Sequence, residues 1–207
     1  MERRIAGVVL AAGASSRMGQ PKSLLTIEGS SYLTRIIANL GVAGASPIVV
    51  VLGCGAGTVR AQVELDAATV VENAEWAAGM LGSIHAAIHA LLPRHDVEGM
   101  LLIPVDQPRV GSGTMRAVLD SRATVAALIA VPTYNGERGH PVLFAREIWP
   151  ALLRAPANEG ARHVVRGCGD SVARVAVDDP WILVDADTPA QHTAMVQGVP
   201  ESSPDDG

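Results

Sequence analysis

Three unbroken apolar runs, Ile5–Ala11, Ile48–Leu52 and Gly99–Val105, constrain the fold of this chain more than any other feature. None shows the polar–apolar alternation of a strand with one wet face, so each reads as a strand covered on both sides. Shorter strand-like segments appear at Thr69–Glu72, Leu128–Pro132, Pro141–Phe144, Val172–Val177 and Ile182–Asp185. Segments with helical spacing lie between them: Tyr32–Leu40, Thr58–Leu65, Ser83–Leu92, Thr114–Arg122, Arg146–Arg154, Gly160–Arg166 and Pro189–Val196. The first places Leu33, Ile36, Ile37 and Leu40 on one stripe, with Gly41 and Gly44 as stops. This alternation predicts an α/β chain with a mostly parallel sheet and helices on both faces. Ligands of such sheets bind beyond the carboxyl ends of the strands. The chemistry is therefore expected just after Leu10, Leu52, Glu72 and Val105.

The chain has 207 residues, which suits a single domain over residues 1–196, and its polar end, residues 197–207, reads as a flexible tail. Apolar residues make up 48%, but there are only three Trp, two Tyr and one Phe, so the core must be Val, Leu, Ile and Ala. The net charge of −5 and the lack of a Lys/Arg block argue against a nucleic-acid partner. Cys54 and Cys168 stand far apart, which supports neither a disulfide framework nor a zinc cluster. No run approaches a membrane span of about 20 apolar residues, and no long apolar segment opens the chain. No membrane partner and a cytoplasmic location are expected.

After the first apolar run comes Leu10-Ala11-Ala12-Gly13-Ala14-Ser15-Ser16-Arg17-Met18-Gly19-Gln20-Pro21-Lys22. Small residues let a backbone approach a ligand closely, and Arg17 and Lys22 bring two cations to the same loop. Backbone N–H groups and fixed positive charge at a strand end suit a polyphosphate. The spacing fits neither G-x-x-x-x-G-K-[ST] nor G-x-G-x-x-G. A plain turn from strand to helix is the alternative reading of the small residues alone.

Asp106, in Pro104-Val105-Asp106-Gln107-Pro108, follows the third run, where a carboxylate either holds Mg²⁺ or caps a turn. Asp185-Ala186-Asp187-Thr188-Pro189 offers a second carboxylate site, with Asp187 or Thr188 alternatively serving as a helix N-cap. Asn73-Ala74-Glu75-Trp76-Ala77-Ala78-Gly79-Met80-Leu81-Gly82-Ser83 is a glycine-rich turn. It could present backbone groups to a base edge, or Ser83 could simply cap a helix. His140 precedes Pro141 and reads as a turn residue. His85 and His89 are spaced for a metal but lack a third ligand.

The pattern L-A-A-G-x-S-x-R-M-G-x-P-K resembles the signature of the MobA-like nucleotidyltransferases. These move a nucleoside monophosphate from an NTP to an acceptor phosphate. The resemblance extends over five separated segments between residues 5 and 196, and Ala11-Ala12-Gly13 is closest to the members that transfer cytidylyl groups to the molybdenum cofactor. It implies a Rossmann-like fold of the nucleotide-diphospho-sugar transferase type, CTP as donor, a molybdopterin-type acceptor, Mg²⁺ as cofactor and pyrophosphate as product. A molybdoenzyme or its chaperone would be a possible partner.

The resemblance assigns Leu10, Ala11, Ala12, Gly13, Gly79, Gly82 and Ser83 to the nucleotide and Asp106 and Asp187 to the metal, with Asp185 as the weaker second ligand. The segments Gly139-His140-Pro141-Val142-Leu143-Phe144 and Asn158-Glu159-Gly160-Ala161-Arg162 carry His140 and Arg162 to the acceptor. Arg17 and Lys22 take the catalytic role, because attack by one phosphate on another brings anions together and fixed cations lower that barrier. The alternatives are a guanylyltransferase, a sugar-phosphate nucleotidylyltransferase, or a non-catalytic carrier of the cofactor.

Overall fold

A computed structural model describes residues 3–200. Its strands are β1 (Arg4–Ala11), β2 (Thr26–Ile27), β3 (Ser30–Ser31), β4 (Ile48–Leu52), β5 (Thr69–Glu72), β6 (Val97–Pro104), β7 (Ile129–Tyr134), β8 (Glu137–Arg138), β9 (Val142–Ala145) and β10 (Val172–Ala176). Its α-helices are α1 (Tyr32–Ala43), α2 (Ala56–Gln62), α3 (Met80–Leu91), α4 (Ser112–Val125), α5 (Trp149–Leu153), α6 (Ala161–Gly167) and α7 (Pro189–Gln197). The main sheet runs β10-β7-β9-β6-β1-β4-β5, with β8 on β7, while β2 and β3 form a separate hairpin. Pairing in the main sheet is parallel except where β9 runs against β6 and β7 and β8 runs against β7.

The three apolar runs occupy the middle of this sheet, and successive residues feed opposite layers. Along β1, Ala6, Val8 and Leu10 pack with α3, α5 and α6, through Ile84, Ile88, Trp149, Leu152 and Val164. Val9 and Ala11 pack on the other side with Leu33, Ile36 and Leu40 of α1, Met115 and Val118 of α4 and Met195 of α7. Both faces are covered, so both residue parities must be apolar. Each fully buried Val, Leu or Ile here contributes about 1.5–3 kcal/mol of transfer free energy. Gly7 is the exception in β1, because a Cβ there would press on Leu40 Cδ1 at 3.0 Å.

Helix α1 begins where the Ser31 side chain accepts from the Thr34 N–H and ends at Gly44, whose φ of 95° lies in the left-handed region. Gly41 is inside the helix, so only the second expected stop acts. Helices α2 and α3 start earlier than their apolar spacing suggests, at Ala56 and Met80. The expected strand at Ile182–Asp185 does not form. Residues Pro180–Leu183 make a 3₁₀ turn with the Asp179 side chain accepting from the Trp181 N–H. The Ile182 and Val184 N–H groups bond back to the Asp179 and Trp181 carbonyls, the Ile182 carbonyl accepts from the His140 N–H at 3.1 Å, and just beyond the segment the Ala186 N–H donates to the Asp106 carbonyl at 3.0 Å.

Gln197 closes α7, and Gly198 and Val199 donate back to its last carbonyls. The rest of the tail, residues 201–207, lies outside the described residues. No helix among the described residues is long and apolar enough to cross a membrane.

Candidate active site

The ends of β1 and β6 open onto a cleft of about 170 Å³, lined by Ala11, Gly13, Ser15, Ser16, Arg17, Pro21, Lys22, Ser23, Val105, Asp106 and Asp187. The loop after β1 is shaped by its own backbone. Ser15 holds φ 52°, a conformation few non-glycine residues adopt. Its carbonyl accepts from the Met18 N–H at 2.9 Å and its Oγ from the Lys22 N–H at 3.1 Å. The loop is therefore closed on itself, and Lys22 is delivered at its far end on a short 3₁₀ turn, Lys22–Leu24. On the β4 side Gly53 is required. A Cβ there would lie 2.6 Å from the Ala12 carbonyl oxygen and 2.7 Å from Trp76 Cβ.

Lys22 is the centre of the cleft's electrostatics. Its Nζ donates to Asp106 Oδ2 at 2.9 Å and also to Asp187 Oδ1. Arg17 Nη2 reaches the other Asp187 oxygen at 3.2 Å. The Lys22 side chain is only 11% exposed, whereas Asp187 keeps 35% and Arg17 67%. Burial works to lower the Lys22 pKa, but the charge of Asp106 and the hydrogen bonds to Asp187 and Asp106 outweigh it, and the ammonium is held above its ordinary value. For Asp187, burial works upward, and the hydrogen bond and charge of Lys22, with Arg17 behind it, bring the carboxyl below its ordinary value. One ammonium thus neutralises two carboxylates that are 81 residues apart in the chain.

Thr188, not Asp187, caps α7. Its Oγ1 accepts from the Gln191 N–H, and the Gln191 side chain accepts in return from the Thr188 and Asp187 N–H groups. The capping box leaves the Asp187 carboxylate free to face Lys22. Asp185 is engaged elsewhere: its Oδ1 accepts from Gln107 Nε2 at 2.6 Å. Burial first, and then the negative charge of Asp106, push its pKa up to about 6 against the opposing bond from Gln107.

The remaining expected residues do not line this cleft. Leu10 and Ala12 are buried. Gly79 holds φ 112° ahead of α3, and Gly82 and Ser83 lie within the helix, so Ser83 does not cap it. Ser83 is buried and its Oγ accepts from Asn73 Nδ2 at 3.0 Å. His140 is partly buried, and burial lowers its pKa, with Asp106 pulling it up and Arg162 adding to the depression. Its imidazole is therefore neutral near pH 7 and offers a hydrogen bond rather than a charge. Arg162 is exposed on the first turn of α6. Among the described residues no group of three His, Cys, Asp or Glu is arranged to hold a metal. Sequence reasoning missed Ser15 and Gln107. Ser15 belongs to the matched motif, but its strained backbone leaves no mark in the sequence.

Residues 7–175 match the MobA-like NTP transferase domain. The chain belongs to that family. Its architecture is the nucleotide-diphospho-sugar transferase fold that the resemblance implied. This MobA-like chain is 31% identical over 186 residues to nicotine blue oxidoreductase from Paenarthrobacter nicotinovorans, covering 86% of the chain and 84% of the relative. It is 29% identical over 183 residues to molybdenum cofactor cytidylyltransferase from Escherichia coli, covering 88% and 90%. A Mycobacterium tuberculosis protein solved in complex with manganese superposes with a TM-score of 0.75 at 30% identity, covering 95% of this MobA-like chain and all of that one.

Proposed function

We propose that this MobA-like protein is a nucleotidyltransferase that joins CMP from CTP to a molybdopterin-type acceptor and releases pyrophosphate. The convergence of Asp106, Asp187, Lys22 and Arg17 at the mouth of the Gly13 loop carries this reading. The E. coli relative's name supports the choice of substrate pair. Asp106 and Asp187 would hold Mg²⁺. The fit is chemical: both carboxylates already face one cationic group, and Mg²⁺ is bound by one or two carboxylates together with substrate phosphates and waters. The ion would supply charge neutralisation on the triphosphate.

The reaction is an in-line displacement. An acceptor phosphate oxygen bonds to the α-phosphorus, the bond from that phosphorus to the bridging oxygen breaks, and the electron pair leaves with pyrophosphate. Lys22, as a point charge, accompanies the phosphoryl oxygens through this step, and the planar fork of Arg17 grips the phosphates at the open rim. Gly13 leaves open space where its side chain would be, which suits close approach of the nucleotide to the loop. Gly79, Gly82 and Ser83 would flank the base, and His140 and Arg162 the acceptor. The product would pass to a molybdoenzyme or its chaperone.

The fold does not by itself fix the chemistry, as the oxidoreductase among the relatives shows. The test is pyrophosphate release from CTP, GTP, ATP and UTP, each with Mg²⁺ and molybdopterin. CTP is expected to turn over fastest. Preference for GTP would overturn the cytidylyl assignment, and no release with any NTP would overturn the transferase reading.

A further inference from the structure

Two side chains that the proposed chemistry leaves unassigned meet beside the cleft. Gln107 follows Asp106, and Asp185 precedes Asp187 by two residues. Gln107 Nε2 donates to Asp185 Oδ1 at 2.6 Å and approaches the Ile182 carbonyl at 3.5 Å. Beside this bond the Ala186 N–H donates to the Asp106 carbonyl at 3.0 Å. Two loops separated by about 80 residues are thus stapled by one side-chain bond and one backbone bond. The staple joins the two segments that carry the carboxylates sharing Lys22.

Gln107 is only 3% exposed, and its Oε1 is buried with no hydrogen-bond partner among the described residues. Leaving one end of a buried amide unanswered costs stability. The bonded end of the amide ties the Asp106 loop to the Asp185 segment. Octahedral coordination of a small divalent ion tolerates little error in ligand spacing. The separation of Asp106 from Asp187 is therefore a quantity worth fixing, and Gln107 and Asp185 fix it.

We propose that Gln107 and Asp185 are positioning residues that hold the Asp106–Asp187 pair at metal-binding separation, with Asp185 itself outside the ligand set. This rests on the reading of Asp106 and Asp187 as the metal ligands. Removing a group that orients a metal ligand weakens binding by about 10–100-fold. An Asn at 185 still presents an Oδ1 to accept from Gln107, so the staple survives loss of the charge.

The test uses the full chain without nucleotide and titrates Mn²⁺ by electron paramagnetic resonance. Asp185→Asn is expected to bind within about threefold of the wild type, while Asp185→Ala and Gln107→Ala bind about 10–100-fold more weakly. Gln107→Glu, which sets two carboxylates against each other, weakens binding as well. Combining it with Asp185→Asn exchanges donor and acceptor and restores the affinity, and this pair needs no truncated side chain to fold. Weakening by Asp185→Asn equal to that by Asp185→Ala would make Asp185 a ligand and overturn the proposal. Unchanged binding in both alanine variants, or a doubly exchanged variant as weak as Gln107→Glu, would reduce the pair to scaffolding. If Asp106→Asn and Asp187→Asn bind Mn²⁺ like the wild type, the ligand assignment fails, and the staple has nothing to position.

Discussion

Lys22→Met lowers pyrophosphate release from CTP by about 10²–10³-fold, the scale of removing one preorganised charge-stabilising group. The loss falls mainly on kcat, because the ammonium matters most when charge moves onto the leaving oxygens. Lys22→Arg recovers only part of it. A guanidinium keeps the charge but is a planar fork, and the cleft presents two carboxylate oxygens to a single nitrogen. The same variant should behave distinctively in a thermal melt. Without Lys22, Asp106 loses its ammonium partner and Asp187 keeps only the exposed Arg17, so metal-free Lys22→Met melts below the wild type and added Mg²⁺ raises it more than it raises the wild type. Steady-state kinetics and melts with and without Mg²⁺ check both statements. Near-normal turnover would remove Lys22 from the chemistry.

Gly139→Ala is the second large effect. A Cβ at this position would lie 2.1 Å from the Ile182 carbonyl oxygen and 2.6 Å from its carbon. Both atoms are backbone, and neither can rotate away. The segment Ile182–Asp187 must therefore shift, and with it the contact between Asp187 and Lys22. Overpacking of this kind costs about 1–3 kcal/mol or more. The expected result is a lower urea midpoint together with at least a tenfold loss of pyrophosphate release. Gly57→Ala is the matched control. It lies inside α2 with open space at its Cβ, and alanine there should be neutral or stabilising by up to about 1 kcal/mol. Equal effects of the two substitutions would contradict the account of the Ile182 segment.

These two residues mark where sequence reading succeeded and where it stopped. Lys22, Arg17, Asp106 and Asp187 are named from the motifs they sit in, and the fold brings their side chains together in one cleft, the first three beyond the ends of β1 and β6 and Asp187 beyond a 3₁₀ turn. The bounds of β4 and β5 agree with the sequence reading, since uninterrupted Ile48–Leu52 and Thr69–Glu72 have no competing pattern. Ile182–Asp185 failed for the opposite reason. Its apolar, β-branched residues look like a strand, but the Ile182 carbonyl accepts from the His140 N–H and the Ile182 and Val184 N–H groups bond back to the Asp179 and Trp181 carbonyls, which no local pattern reveals.

The reversed direction of β9 was legible and unread. Residues 135–141 are too short a link for a parallel crossover, which needs a dozen or more residues, so β9 had to run against β7. Ser83 does not fill its alternative reading as a helix cap, because α3 begins three residues earlier, after Gly79, whose φ of 112° supplies the turn without a side-chain cap.

The most direct measurement is anomalous diffraction at the manganese edge from crystals grown with CTP and Mn²⁺. One ion is expected, ligated by the Asp106 and Asp187 carboxylates and by triphosphate oxygens, with the Lys22 ammonium moved from the carboxylates onto the phosphates. A manganese peak away from these two residues, or bound CTP with Lys22 still locked between Asp106 and Asp187, would contradict it.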